Sequence, residues 1–389
     1  MEPGVAIVGA GHTRFGALTE GPRALLAEAA REALAGIDRG LPRGAAVDEA
    51  FLATLGFGGW QIGNASAVLA ESAGMVGVPV TRIENACASG GYAIRAAAQA
   101  IRSGRVRVAL VAGVEKMTDT PSARRRYWLG VSGDTEWERS AGLTFAGVYG
   151  MIASRYAHER PRTREALTAV AVKNHANGAR NPKAHLRKAV RAEEVEAAPP
   201  VADPLRLFDC CPVTDGAAAL VLADASIARR CTDTPVWIGG IGAASDVLAV
   251  QERPTLLEFP ATRRAAAAAY ADAGWGPESV DVLEVHDCFT IAELLALEDL
   301  GIAPRGGGAI DLTLSGATGP GGERPVNPDG GLKAKGHPIG TTGVSQLYEL
   351  FLQLRAAAGN RQVPGAERAL AHNVGGSGAS ATVTLVERG

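Results

Sequence analysis

No stretch of this 389-residue sequence stays apolar for the roughly 18 residues that a bilayer-spanning helix needs. A membrane span is therefore not expected. No basic-plus-apolar leader opens the chain either; Met1-Glu2-Pro3-Gly4 passes directly into an apolar strand. Charge of one sign is also lacking: 39 Lys and Arg face 41 Asp and Glu, a net of −2. That balance gives no general pull toward nucleic acid or a membrane surface. Cysteine is sparse and wrongly spaced for structural use. The five, Cys87, Cys210, Cys211, Cys231 and Cys288, are odd in number, include no Cys-x-x-Cys, and have one close pair that is adjacent. Neither a disulfide framework nor a zinc ribbon fits, and a reducing, cytoplasmic compartment does. What is plentiful is glycine, 49 residues gathered in loops beside polar side chains, where close backbone approach is expected. With 47% apolar and 21% charged residues, this is an ordinary globular composition. The length suits two domains or one duplicated domain.

Along the chain, apolar strands alternate with Ala-rich helices. Residues 5–11 read as a buried strand ending in a glycine turn. Gly9-x-Gly11 lacks the third glycine and helix start of a dinucleotide fold. Helices are predicted over 22–35, 63–73 and 87–102, with strands over 47–55 and 105–114. Such alternation implies an α/β fold with a largely parallel sheet covered by helices. From 115 to 207 the pattern breaks, with helices predicted at 145–158 and 164–177. It resumes with strands at 217–223 and 235–242, a helix at 262–273, a strand at 280–285 and a helix at 290–300. After a Gly/Pro-rich loop comes a helix over 341–358. Strands at 369–372 and 382–386 follow, with Asn373-Val374-Gly375-Gly376-Ser377-Gly378 between them. The second half repeats the first. The chain thus divides into 1–114 with 208–230, an insert over 115–207, and 231–389.

Cys87 stands where the strand ending at Asn85 meets a helix. Unpaired N–H groups and the dipole at a helix N-terminus stabilise a thiolate. The local sequence leaves two readings, an activated nucleophile and a small buried core residue. In the repeat, Cys87 and His337 hold equivalent places, so a pseudo-two-fold axis would bring the two helix mouths together. His286 with Cys288, and His372 with Asn373, occupy two further turns after predicted strands.

Three motifs carry a resemblance across the whole chain: Asn85-Ala86-Cys87-Ala88-Ser89-Gly90, Asn327-Pro328-Asp329-Gly330-Gly331, and Gly336-His337-Pro338-Ile339-Gly340-Thr341-Thr342-Gly343. The sequence resembles the thiolase superfamily. The resemblance implies a duplicated, five-layered α-β-α-β-α fold with a loop-domain insert. His286-Asp287-Cys288-Phe289 resembles the sterol-carrier-protein-type branch and its bacterial and archaeal acetyl-CoA acetyltransferase relatives. Thiolases of the commoner kind have Asn-Glu-x-Phe there and a second catalytic Cys near the C-terminus. Here His372-Asn373-Val374-Gly375-Gly376 fills that place without a Cys, so the branch resemblance moves the acid/base role to Cys288. Asp209-Cys210-Cys211-Pro212 and Lys173-Asn174-His175 also resemble this branch, with Cys210 and Cys211 structural.

The implied activity is acyl-CoA C-acyltransfer, forming or thiolytically cleaving a 3-ketoacyl-CoA. His337 accepts the Cys87 proton and the thiolate takes an acyl group from a thioester. Cys87 N–H and the backbone of Val374, Gly375 and Gly376, supported by His372, face the oxyanion. Cys288 moves the α-proton of a second acetyl-CoA, and His286 and His337 stabilise the enolate. Coenzyme A and acetyl-CoA are substrates; no permanently bound cofactor and no metal are implied, since the His and Cys residues lack ligand spacing. Arg124, Arg125, Arg126, Lys173, Lys183, Arg187 and Lys188 are candidates for the CoA phosphates as a group, with none assigned singly. The family expectation is a homodimer or homotetramer without nucleic acid. Relatives of this branch often work with a zinc-ribbon/OB-fold partner, some on non-CoA or specialised acceptors, and that is the alternative reading. A decarboxylating condensing enzyme needs no base to form its enolate, and Cys288 speaks against it. A non-catalytic lipid-binding protein requires a dead site, and no expected position is missing.

Overall fold

A computed structural model describes residues 4–56 and 63–389. Met1, Glu2 and Pro3, read above as leading into the first strand, lie outside the described residues. The strands are β1 (Val5–His12), β2 (Glu49–Ala53), β3 (Val80–Ile83), β4 (Val108–Glu115), β5 (Pro200–Ala202), β6 (Leu205–Arg206), β7 (Gly216–Asp224), β8 (Val236–Ser245), β9 (Val282–Glu284), β10 (Arg368–Gly375) and β11 (Ser380–Arg388). β5 and β6 pair in the insert; the others form one sheet, in the order β3-β2-β4-β7-β1-β8-β11-β10-β9.

That order is a mirror. Outward from the β1–β8 seam run β7, β4, β2 and β3 on one side and β11, β10 and β9 on the other. A single parallel bridge from Leu283 to Val326 stands where a ninth-strand neighbour would match β3. The seam itself is narrow, with Ala6 opposite Trp237 and Ile7 opposite Val236. The expected largely parallel sheet is corrected to a mixed one: only β2–β3, β2–β4 and β9–β10 are parallel. Alternation of helix and strand could not reveal this. β10 and β11 are joined by a tight turn, which forces antiparallel pairing. In the first half the insert separates β4 from β7 and hides the same antiparallel relation in sequence.

Helices pack where their apolar spacing requires. Pro22–Ala35 starts on a proline and buries Leu25, Leu26, Ala29, Ala30 and Ala33 on one face. Pro260–Ala273 likewise starts on a proline and ends at Gly274, whose φ of 75° is the left-handed cap conformation. Two helices, Ser89–Arg102 and Thr342–Leu354, form a central layer. Their apolar residues share one core with strands from both halves, including Phe51 and Val111 on one side and Ala369 and Val386 on the other. They cross on glycine: a Cβ on Gly90 would lie 2.8 Å from the Gly343 nitrogen, and one on Gly343 would lie 2.4 Å from the Gly91 nitrogen. This contact brings the two helix N-termini side by side. Among the described residues no helix is long and apolar enough to cross a membrane.

Candidate active site

Cys87 precedes the Ser89–Arg102 helix at a sharp elbow. Ala86 turns the chain with φ 48°. The Ser89 hydroxyl locks the turn, accepting from Asn85 N–H at 2.9 Å and donating to the Ala86 carbonyl at 2.6 Å. The thiol is buried at 3% exposure. Burial pushes it up to about 12, against the pull of hydrogen bonds from the Gly376 and Cys87 backbone. The expected low-pKa thiol at a helix mouth is therefore corrected: desolvation outweighs the helix terminus.

His337 comes from the matching elbow before Thr342–Leu354. Its Nδ1 lies 2.7 Å from Thr342 Oγ1. That hydroxyl donates its proton to the Pro338 carbonyl at 3.3 Å, so it accepts from His337 Nδ1–H. The lone pair then sits on His337 Nε2. Burial, then Lys335, lowers the ring to about 3, so it is a neutral base at pH 7. His286 has the opposite tautomer. The Asn373 amide accepts from Gly91 N–H at 3.1 Å and donates to the Cys87 carbonyl at 2.8 Å, which fixes its orientation. Its Nδ2 also donates to His286 Nδ1 at 3.2 Å, leaving the ring proton on Nε2. His286 is also held neutral, lowered first by burial and then by His337. The two rings meet edge to face at 5.0 Å. Cys87 Sγ and one nitrogen from each ring lie within 4.8 Å of one another. Both Nε2 atoms are buried without a protein partner. A thiol, a base and a hydrogen-bond donor thus converge on one small space.

Cys288 lies in the strand-to-helix turn after β9, 1% exposed. Its thiol is pushed well above the ordinary range by burial and then by Cys211. The turn is anchored from beneath. Asp287 accepts from Leu332 N–H at 2.7 Å and from Asn174 Nδ2 at 2.8 Å. Asn327 accepts from Val285 N–H at 2.8 Å and donates to Glu293 at 3.2 Å. The Asn327-Pro328-Asp329-Gly330-Gly331 loop therefore braces the turn that carries His286 and Cys288. Burial, then Glu293, raises the Asp287 carboxyl to about 7.

His372 is not brought into this cluster by a hydrogen bond. β10 alternates, so His372 and Val374 face outward while Asn373 and Gly375 face the central helices. His372 Nε2 lies 2.9 Å from Thr262 Oγ1 on an outer helix. Val374 packs in the outer core. Gly375 and Gly376 pass close to other backbone: added Cβ atoms would lie 2.5 Å from the Asn85 oxygen and 2.4 Å from the Ser132 oxygen. The sequence pattern places Asn373 in a turn; it is strand, and its alternation points it inward, which makes it a site residue the pattern does not mark. Of the basic candidates, Lys173 is internal, paired with Glu293 and 9% exposed at its side chain. Lys183 binds Glu32 and the His12 carbonyl. Arg187 and Lys188 are exposed.

Two domain families match, the thiolase N-terminal domain over residues 5–226 and the thiolase C-terminal domain-like family over 242–388. The chain belongs to the thiolase family. It is 42% identical to an acetyl-CoA acetyltransferase of Methanothermobacter thermautotrophicus over 99% of both chains. It is 34% identical to human sterol carrier protein 2, covering 99% of this chain and 72% of that protein. Among solved structures, the Ltp2-ChsH2(DUF35) aldolase shares the fold, with a TM-score of 0.85, 23% identity, and 99% of this chain and 98% of that one covered. The sheet order and layers described above are those of a thiolase fold.

Proposed function

We propose that this thiolase-family chain is an acyl-CoA C-acyltransferase that forms or thiolytically cleaves a 3-ketoacyl-CoA through an acyl-Cys87 intermediate. The observation that carries the reading is the meeting of Cys87, His286 and His337 within 4.8 Å. His337 Nε2 takes the Cys87 proton as sulfur attacks the thioester carbonyl. The S–C bond forms, the carbon–sulfur bond to CoA breaks, and the departing CoA sulfur takes the Cys288 proton, which leaves the Cys288 thiolate as the base, while His337 keeps the Cys87 proton and returns it when Cys87 leaves. Because both groups are neutral at rest, deprotonation accompanies attack and no preformed ion pair is needed. Gly376 N–H and Cys87 N–H are the oxyanion donors; Val374, Gly375 and His372 hold that strand end in place. In synthesis Cys288 removes the α-proton of acetyl-CoA, and His286 Nε2–H donates to the enolate oxygen. Coenzyme A and its thioesters are the substrates. Full-length relatives at 42% and 39% identity carry the name acetyl-CoA acetyltransferase, which supports the same activity here.

The three converging atoms also have the spacing of metal ligands. The reading uses them as nucleophile, base and donor, and full activity after chelation is its expected consequence. The unit proposed for this chemistry is residues 1–114 with 208–230, the insert 115–207, and 231–389. It works as a homodimer in the cytoplasm, where Cys87 and Cys288 stay reduced. Exposure to acetyl-CoA should leave an acetyl adduct on Cys87 by intact-mass spectrometry. The isolated chain should thiolyse 3-ketoacyl-CoA; inactivity of an acetylated, folded chain would favour the reading with a zinc-ribbon/OB-fold partner.

A further inference from the structure

Tyr149 is fully buried, yet it is an insert residue that the mechanism above does not use. It lies on the Phe145–Glu159 helix, which Thr144 caps by accepting from Gly147 N–H. Its ring stacks on Phe289 at 4.5 Å and 23°, the residue next to Cys288. Phe145 at 5.5 Å and Phe259 at 6.4 Å fix the other sides. The hydroxyl donates to the Gly376 carbonyl at 3.2 Å. Tyr149, Phe289 and Cys288 lie in one buried cluster, and Cys288 is the group that, after burial, acts most on the Tyr149 phenol.

We propose that Tyr149 is a positioning residue for proton transfer, its one hydroxyl proton directed to the Gly376 carbonyl when Cys288 is a thiol and to the Cys288 sulfur when it is a thiolate. The inference rests on Cys288 as the proton-transfer group. Gly376 stands between Tyr149 and Cys87: its carbonyl accepts from Tyr149 at 3.2 Å, and its backbone acts to lower the Cys87 thiol. Tyr149 is a donor and not a base, because burial and then Cys288 raise its phenol well above 10. During enolate formation the Cα–H bond breaks, the Cys288 S–H bond forms, and the electron pair moves to the thioester oxygen. The phenol proton stays on Tyr149 throughout. Cys211, Cys87 and Asp287 act against a Cys288 thiolate and Tyr149 acts for it, while Lys333 acts on the neighbouring Cys211 and Asp287. Arg253 is the cation acting on Tyr149 itself.

The test is Tyr149→Phe, which keeps the stacked ring and removes only the hydroxyl. Exchange of the acetyl-CoA methyl protons with D2O should fall about 10- to 100-fold, as for loss of one hydrogen bond to a charged group. Acetylation of Cys87 should change by no more than about a few-fold, which also reports folding. The pH at which exchange reaches its maximum should rise. Equal loss of exchange and acetylation, or exchange with an unmoved pH profile, overturns the proposal. Cys288→Ala separates the two levels: if it exchanges like the wild type, the Cys288 reading fails; if it loses exchange while Tyr149→Phe does not, only the Tyr149 inference fails.

Discussion

At the end of β2 the first half carries Thr54 and Leu55, both bound to the Glu115 carboxylate; at the matching end of β9 the second half carries His286 and Cys288. The helix elbows differ in the same way, with Cys87 in the first half and His337 in the second. On the proposed function, one strand plan therefore presents the nucleophile from one side and nearly all the proton chemistry from the other. The halves also hold each other. Glu115, at the end of β4, accepts from Gly340 N–H at 3.0 Å, beside the His337 elbow. Asn373, near the end of β10, binds Gly91 N–H and the Cys87 carbonyl. Each half thus fixes the other's elbow, and the asymmetry lies in what the elbows carry. The mirrored strand order supplies the geometry, and the different residues at a few strand ends supply the chemistry that the proposed function uses.

The hardest test of this division is Cys87→Ala. Loss of the nucleophile should lower kcat by about 10⁴-fold or more and abolish the acetyl adduct. A surviving adduct would move the nucleophile to the other half. Cys288→Ala should keep the adduct but lose about 10²- to 10⁴-fold in condensation and thiolysis, the range of a general acid–base group. Full condensation in that variant would remove the proton-transfer role from the β9 turn.

Much of this division is legible in sequence, and the failures have physical causes. The Pro22–Ala35 helix falls where proline and apolar spacing put it. The repeat alone pairs Cys87 with His337, because equivalent elbows across a two-fold axis must face each other. The thiol's raised pKa is not legible locally, because the motif shows the helix terminus and not the distant chain that buries it. Asn373 is hidden in sequence because the strand runs three residues past His372, and that extension decides which face its side chain takes. Tyr149 has no sequence relation to Cys288 at all; only folding of the insert over the second half brings them together.

The corrected thiol makes a quantitative prediction. With Cys87 up near 12, its thiolate fraction still rises across the working pH range. Alkylation by iodoacetamide should therefore increase about tenfold per pH unit from 7 to 9. A plateau beginning near pH 7 would reveal a preformed thiolate–imidazolium pair and reverse the neutral assignment of His337. Asn373→Ala should act more modestly. It leaves Cys87 O, Gly91 N–H and His286 Nδ1 without the amide, and frees His286 to change tautomer. Activity should fall about 10- to 100-fold, with the larger loss in enolate formation, read by methyl-proton exchange. Equal loss in acetylation would make Asn373 a brace for Cys87 alone.

The opposite clamp should tolerate its conservative change. Glu115 Oε2 accepts both backbone donors, Leu55 N–H and Gly340 N–H, each at 3.0 Å, while Oε1 accepts from the Thr54 hydroxyl. In Glu115→Gln the amide oxygen can take the Oε2 place and keep both backbone bonds. Only the amide nitrogen then faces Thr54 Oγ1, an atom that can accept as well as donate. The expected cost is under about 1 kcal/mol of stability and a few-fold in kcat, with the acetyl adduct intact. Glu115→Ala has no such escape, since it strands two backbone N–H groups in a dry site, and should lose more than the Gln variant in both thermal stability and acetylation rate. If Gln and Ala behave alike, Glu115 holds the His337 elbow by its charge, and the two clamps are not equivalent after all.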